Sequence, residues 1–235
     1  MRIMYIFPHP DDEVFGPAPA ILAQLRTGHE VHLLTLTKGG ATKQRFKFGY
    51  TIDQMGEVRF NEMKEVAKVL GLTSLNVLDL PDSGLKDMDP RIIELEIRKM
   101  IEQIRPYAIV TYAVHGVSGF HDHLVTHAVV KRVFAEISDS SRFPRRLAFF
   151  TLNEMQAKMG SGLHQLKFSP REDIDCVTDA DAEDIAKAKK ALMCYKTYQE
   201  VIESTGIMNL LSDKIYFEIF REKFDPPLKD LCEGL

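Results

Sequence analysis

The stretch Arg2-Ile-Met-Tyr-Ile-Phe7, running directly into Pro8-His9-Pro10-Asp11-Asp12-Glu13, decides how the rest of the chain is read. A short apolar run stopped by proline has the length of a buried strand. At its carboxyl end, His9, Asp11, Asp12 and Glu13 crowd metal-capable and titratable groups into one turn. The two prolines stiffen that turn and fix which side chains converge. His9 and Asp12 can offer an imidazole and a carboxylate to a metal, leaving Asp11 between them free. Helix capping alone would account for one of the carboxylates. It leaves the histidine and the other acids unexplained.

Outward from this strand, apolar runs of strand length alternate with helix-period segments, the pattern of an α/β fold with a mostly parallel sheet. A helix is expected from about Pro17 to Thr27, a strand over Glu30–Thr37 and a basic, glycine-containing loop over Lys38–Asp53. Helical spacing then runs from Gln54 to Leu70, with Gly71 as its stop. Strands are expected at Leu75–Leu80 and Tyr107–Ala113, with a proline-led helix over Pro90–Ile104 between them. A loop from His115 to Phe120 leads to a helix of about Asp122–Glu136, then a strand at Arg146–Leu152. Between Asn153 and Pro170 the pattern weakens, and Gly160-Ser161-Gly162 suggests a mobile excursion. A late strand near Ile174–Val177, a long helix from Asp179 to about Tyr198 and a final strand at Ile215–Phe220 complete a less regular C-terminal third. With no linker between these parts, residues 1–235 read as one domain.

His115, His121, His123 and His127 are four of the chain's eight histidines and fall within thirteen residues on a glycine-rich segment. In a doubly wound sheet the first strand commonly neighbours the fourth, and ligands bind at their carboxyl ends. The two clusters follow those two strands, so His9, Asp12 and a histidine of the second cluster are expected in one crevice. His123 and His127, one helical turn apart, form an alternative two-histidine pair. Two histidines and one aspartate with an open position is the donor set of catalytic zinc, and also suits Fe(II), Mn or Co. A water at such a metal has its pKa lowered toward ~7 and becomes a nucleophile, with Asp11 placed to take its proton. That is hydrolysis of an amide or ester.

Composition narrows the class. Hydrophobic residues make up 45% of the chain and charged residues 27%, which excludes disordered, collagen-like and coiled-coil chains. Thirty Lys and Arg against 34 Asp and Glu give a formal net charge of −4, so no basic excess points to nucleic acid. Basic and aromatic residues do interleave over Lys38–Tyr50, a stretch read as a substrate lid or subunit contact. Three scattered cysteines, without C-x-x-C spacing, fit a reducing compartment. The first apolar run is too short for a signal-peptide core, and no apolar stretch has the length of a membrane span. A cytoplasmic protein without a membrane partner is expected. No G-x-G-x-x-G or Walker motif follows the first strand, which disfavours a nucleotide-binding protein.

With Pro8–Glu13 after the first strand and Gly116-Val-Ser-Gly-Phe-His-Asp-His123 after the fourth, the chain resembles the LmbE-like (PIG-L) deacetylases. The likeness extends through Met55–Glu62 and Leu80-Pro81-Asp82, and more weakly to Ala191-Leu192. It implies a Rossmann-like three-layer sandwich, often assembled as a homo-oligomer. The implied activity is zinc-dependent removal of an N-acetyl group from an N-acetylglucosamine conjugate, a small-molecule partner. Carried over by motif position, His9, Asp12 and His123 would hold the metal and Asp11 would be the general base. Arg59, Glu13 and Asp82 would face the substrate, with Glu13 otherwise bracing the loop. Read as a helix residue alone, Arg59 would be a solvated charge on an amphipathic face.

One departure stands out. The family's second motif usually reads Gly-His-Pro-Asp-His, and here Phe120 occupies the position of its first histidine. His121, one residue later and about 100° around the helix start, becomes the candidate catalytic acid, with His115 as another. Two function classes follow: a metal-dependent N-deacetylase, or a metal-containing binding or regulatory module whose turnover is weak or lost. Asp122 is read either as an acid favoured at a helix N-terminus or as a partner that orients a histidine.

Overall fold

Along the first strand, β1 (Arg2–Phe7), the alternation of a pleated strand sends Ile3, Tyr5 and Phe7 to one side and Met4 and Ile6 to the other. All five are fully buried, so the strand lies between two apolar layers. The computed structural model of the chain describes residues 1–138, 142–160 and 165–235. Ser161 and Gly162, part of the expected excursion, lie outside the described residues.

Among the described residues, seven strands form one sheet in the order β3-β2-β1-β4-β5-β7-β6. Strands β2 (Glu30–Thr37), β3 (Ser74–Leu80), β4 (Ala108–Tyr112) and β5 (Arg146–Thr151) run parallel with β1. The expected neighbours β1 and β4 are paired, with Tyr5 opposite Val110. Strands β6 (Cys176–Asp179) and β7 (Lys214–Ile219) join antiparallel, so the C-terminal third extends the same sheet.

The helices are α1 (Ala18–Arg26), α2 (Arg45–Phe48), α3 (Ile52–Leu70), α4 (Pro90–Ile104), α5 (His121–Ser138), α6 (Glu154–Met159), α7 (Ala182–Leu192), α8 (Gln199–Thr205) and α9 (Ile207–Leu210). The α1 and α3 side covers the Tyr5 face through Ile21 and Met63, and α4 and α5 cover the Met4 face through Ile93, Ile97, Val130 and Val133. Helix α7 packs outside α1 and α3 through Ala188, Ala191 and Leu192.

Several boundaries differ from the sequence reading, each for a local reason. The basic loop contains α2, and α3 begins at Ile52 because Thr51 and Gln54 form a reciprocal capping box. Thr51→Ala is expected to destabilise the protein by about 1 kcal/mol. A urea melt measures this, and an unchanged midpoint would mean that the box contributes nothing.

The expected long helix from Asp179 to Tyr198 is shorter at both ends. Thr178 and Asp179 are held in β6 opposite Ile215 and Lys214, and Asp181 with Asp184 caps α7 instead. After Leu192 the chain breaks into a turn that carries Tyr195 inward. The weak region contains α6, started by an Asn153–Gln156 capping box.

Candidate active site

The turn after β1 is pinned before any side chain is considered. The Pro8 carbonyl accepts from both the backbone N–H and the hydroxyl of Thr37 on the neighbouring strand. Asp11 then sits at φ 87°, a left-handed conformation that aspartate and asparagine tolerate better than most side chains. Across the sheet's carboxyl edge, β4 ends in Tyr112, and the following loop turns back through Gly116 (φ +64°). A Cβ there would lie 2.8 Å from the His123 Cβ, so that crossing requires glycine. The loop delivers His123 to the first turn of α5, directly facing the β1 turn.

His9, Asp12 and His123 each present a ligand-capable atom within 4.8 Å of the others. His9 Nδ1 lies 3.7 Å from Asp12 Oδ2, and His123 Nε2 lies 3.4 Å from Asp12 Oδ1. Ligand atoms at zinc-bond lengths on a tetrahedron are about 3.3 Å apart, so this donor set fits a small transition metal.

Each imidazole gives its other nitrogen to an acceptor. His9 Nε2 is 3.1 Å from Asp122 Oδ2 and 3.3 Å from Asp82 Oδ1, and His123 Nδ1 is 2.9 Å from the Gly116 carbonyl. Those partners orient both rings with their remaining nitrogens toward Asp12. Burial opposes charge on His9, but Asp122, Asp12 and Asp82 outweigh it and raise its pKa. Burial wins at His123 and lowers its pKa despite Asp12. A second group, His9 with Asp82 and Asp122, also brings its ligand-capable atoms within 4.8 Å of one another. Both of its carboxylates approach the same His9 nitrogen and accept backbone N–H groups, Asp82 from Ala41 and Asp122 from Ser83 and Leu85. It therefore reads as the outer support of the first group.

Asp11 points away from this set. Its Oδ2 accepts from Arg59 Nη2 at 2.7 Å, and its backbone N–H donates to the Tyr195 hydroxyl. Burial pushes its carboxyl up to about 7, with Arg59 pulling the other way. Arg59 is 2% exposed and also donates to the carbonyls of Pro10 and Gly39. Its guanidinium lies over the Tyr198 ring at 4.0 Å. At Gly39 (φ +66°) a Cβ would fall 2.2 Å from Arg59 Nη1. The solvated reading of Arg59 is thus overturned: the helix face it occupies is covered by the β1 turn and by Tyr198. Arg59→Leu leaves Asp11 without its cation and is expected to cost about 3 kcal/mol. A denaturant midpoint unchanged from wild type would contradict that.

The expected substrate-facing residues each have partners within the fold. Arg59 is occupied as described. Glu13 is fully enclosed, accepts from the Tyr195 hydroxyl at 2.5 Å and is pushed up to about 8 by burial. In this position it braces the turn. Asp82 ties the Ala41 backbone to His9.

His121 opens α5 on the exposed side, while Phe120, 47% exposed, sets its ring edge-on to His123 at 5.5 Å. His115 lies near Ser169 and Thr151, and burial pushes its pKa down to about 4. His127 turns into the core, its Nδ1 2.8 Å from the Tyr112 carbonyl and its ring against Phe149. The His123–His127 pair is therefore split, because one nitrogen set faces the crevice and the other faces β4. Asp122 serves in both expected ways, at the helix N-terminus and against His9.

Three tyrosines escaped the sequence reading. Tyr112 donates to Asp12 Oδ1 at 2.8 Å and stacks on His123 at 4.3 Å and 7°. Tyr195 joins Asp11 to Glu13, and Tyr198 covers Arg59. Tyr112 had a signal, since it ends the strand that feeds the second cluster. In the basic stretch, Lys38 pairs with Glu57 and Asp79, and Lys47 with Glu200, so these charges are already answered within the fold.

The sequence profile of the GlcNAc-PI de-N-acetylase (PIG-L) family matches residues 4–134, from β1 through most of α5. The chain belongs to the PIG-L family. Among its relatives, a 1D-myo-inositol 2-acetamido-2-deoxy-alpha-D-glucopyranoside deacetylase of Thermomonospora curvata is 26% identical, the match covering 95% of this chain and 89% of that one. The N-acetylglucosaminyl-phosphatidylinositol de-N-acetylase of Bos taurus is 27% identical over 83% of this chain and 74% of its own length. In fold, the chain is similar to a crystal structure of a deacetylase from the teicoplanin biosynthesis pathway. That likeness has a TM-score of 0.73 at 14% identity and covers 93% of this chain and 97% of the other. As a PIG-L member the protein is an N-deacetylase. No helix among the described residues is long and apolar enough to cross a membrane.

Proposed function

We propose that the protein hydrolyses the N-acetyl group of an N-acetylglucosamine-type conjugate, using a divalent transition metal, zinc foremost, held by His9, Asp12 and His123. The observation that carries the reading is the pairing of this donor set with a separate carboxylate, Asp11, one residue away and clamped by Arg59. A binding module has no use for a carboxylate outside the donor set held next to a metal, so the deacetylase reading is favoured over a non-catalytic one.

The metal, when bound, supplies Lewis acidity and a water that is nucleophilic at neutral pH. Asp11 takes a proton from the attacking water and returns it to the departing nitrogen as the C–N bond breaks, giving acetate and a free amine. Arg59 holds the Asp11 carboxylate and the Tyr195 hydroxyl accepts its backbone N–H, which together fix the turn that carries it beside the donor set. Asp122 and the Gly116 carbonyl keep the two imidazoles in register, and Tyr112 fixes Asp12. Acetate release from N-acetylglucosamine conjugates by zinc-reconstituted protein tests the reading.

Phe120 stands where the family motif has histidine, at the mouth of the crevice and against the His123 ring. A donor there would stabilise the developing oxyanion, a contribution of on the order of a hundredfold in rate. Phe120→His is therefore expected to raise kcat by about tenfold or more with KM little changed. An unchanged kcat would mean that another group, such as exposed His121, already serves that step.

A further inference from the structure

We infer that His29, Asp230 and Cys232 form a second transition-metal site that ties the C-terminal segment to the turn between α1 and β2. His29 immediately precedes β2 and so lies at the amino edge of the sheet, opposite the crevice that follows β1. Each of the three residues presents a ligand-capable atom within 4.8 Å of the other two. Imidazole, carboxylate and thiolate with an open position for water make a donor set for zinc or Co(II). The thiolate excludes the hard ions Mg²⁺ and Ca²⁺.

The ligands are held in place by contacts that need no metal. The His29 backbone N–H donates to the Gln24 carbonyl at the end of α1. Asp230 Oδ1 accepts the Cys232 backbone N–H at 2.6 Å, which leaves Oδ2 facing His29 Nε2 at 2.7 Å. Between the two ligands, Leu231 is fully buried and its carbonyl accepts from Arg146 at 2.7 Å, while Leu228 is bonded to Val177 and Asp175. Coordination through the atoms in contact requires the 2.7 Å His29–Asp230 pair to open toward the about 3.3 Å spacing of tetrahedral ligands, a side-chain adjustment on a backbone already held in place. The site is also reachable: the side chains of His29 and Asp230 are 13% and 33% exposed.

One ring nitrogen is unserved. His29 Nδ1 is buried without a hydrogen-bond partner. Asp230 Oδ2 occupies the other ring nitrogen, Nε2, at 2.7 Å, so the ring has one nitrogen engaged and one open. Coordination takes a neutral imidazole and a thiolate, so metal binding at this site is linked to proton release. It replaces an incompletely satisfied ion pair with metal bonds. Residues 29 and 230–232 are about 200 positions apart in the chain, so the bond would act as a clasp on the tail.

Cobalt separates this site from the crevice, because His9, Asp12 and His123 include no sulfur and only a thiolate ligand gives near-ultraviolet sulfur-to-cobalt charge transfer. Metal-free, reduced full-length protein titrated with Co(II) alone is expected to show that absorption, reaching full amplitude by two cobalt per chain, one for this site and one for the crevice. Both Cys232→Ser and His29→Gln should lose it, and Cys194→Ser should keep it. Zinc should raise the Tm of wild-type protein more than that of either of those first two variants. Absence of the charge-transfer band at saturating cobalt, with Cys232 verified as reduced, would overturn the inference. So would a band that survives Cys232→Ser.

Discussion

Asp11→Asn is expected to lower acetate release by about 10²- to 10⁴-fold while metal content stays at the wild-type level. Asparagine is the clean replacement at this position. It keeps a side-chain oxygen for Arg59 Nη2, tolerates the φ of 87° and preserves the volume of the turn. What it removes is basicity. Alanine would confound the result, because the left-handed backbone would be strained and the buried Arg59 left unpaired. The measurement is kcat/KM on an N-acetylglucosamine conjugate, together with elemental analysis of the same preparation. Activity near wild type with full metal would move the base elsewhere. Loss of metal along with activity would instead make Asp11 part of the donor set.

His123→Ala is expected to lose about 10³-fold or more in kcat/KM and to lose its crevice metal as well. The control is His127→Gln. That residue lies one turn further along α5, but its ring bonds the Tyr112 carbonyl and packs on Phe149. It should keep both metal and turnover. If the two variants behaved alike, the donor set would extend down the helix and the account of the crevice would be wrong. Chelation of wild-type protein should reproduce the His123→Ala activity loss and zinc should reverse it, whereas zinc should not restore the variant.

Much of this was legible from residues alone, because the information was local. Pro8–Glu13 after an apolar run, and a histidine-rich loop after the fourth strand, mark two chain segments whose neighbourhood follows from parallel winding. The pairing of β1 with β4 brings those segments together. Other parts depended on tertiary packing that no local pattern carries. Arg59 sits on a helix with the spacing of an amphipathic face, and its burial comes from the β1 turn and Tyr198, more than a hundred residues further on. Tyr195 reaches Asp11 and Glu13 across more than 180 residues. His127 shares helical spacing with His123, yet the Tyr112 carbonyl and the Phe149 ring, both from other elements, hold it in the core. Helix α7 starts later than expected because Thr178 and Asp179, residue types that cap helices, do so only when no strand claims them. Here β7 claims both.

The central claim is that the crevice at the carboxyl ends of β1 and β4 is a metal-dependent N-deacetylase site. Its most direct test is acetate release from a panel of N-acetylglucosamine conjugates by zinc-reconstituted protein, before and after chelation. The account predicts acetate and free amine in equal amounts from at least one conjugate, abolished by chelation and restored by zinc. Cleavage that survives complete removal of metal would contradict it, as would a protein with its crevice metal in place that cleaves none of the panel, as wild type or as Phe120→His.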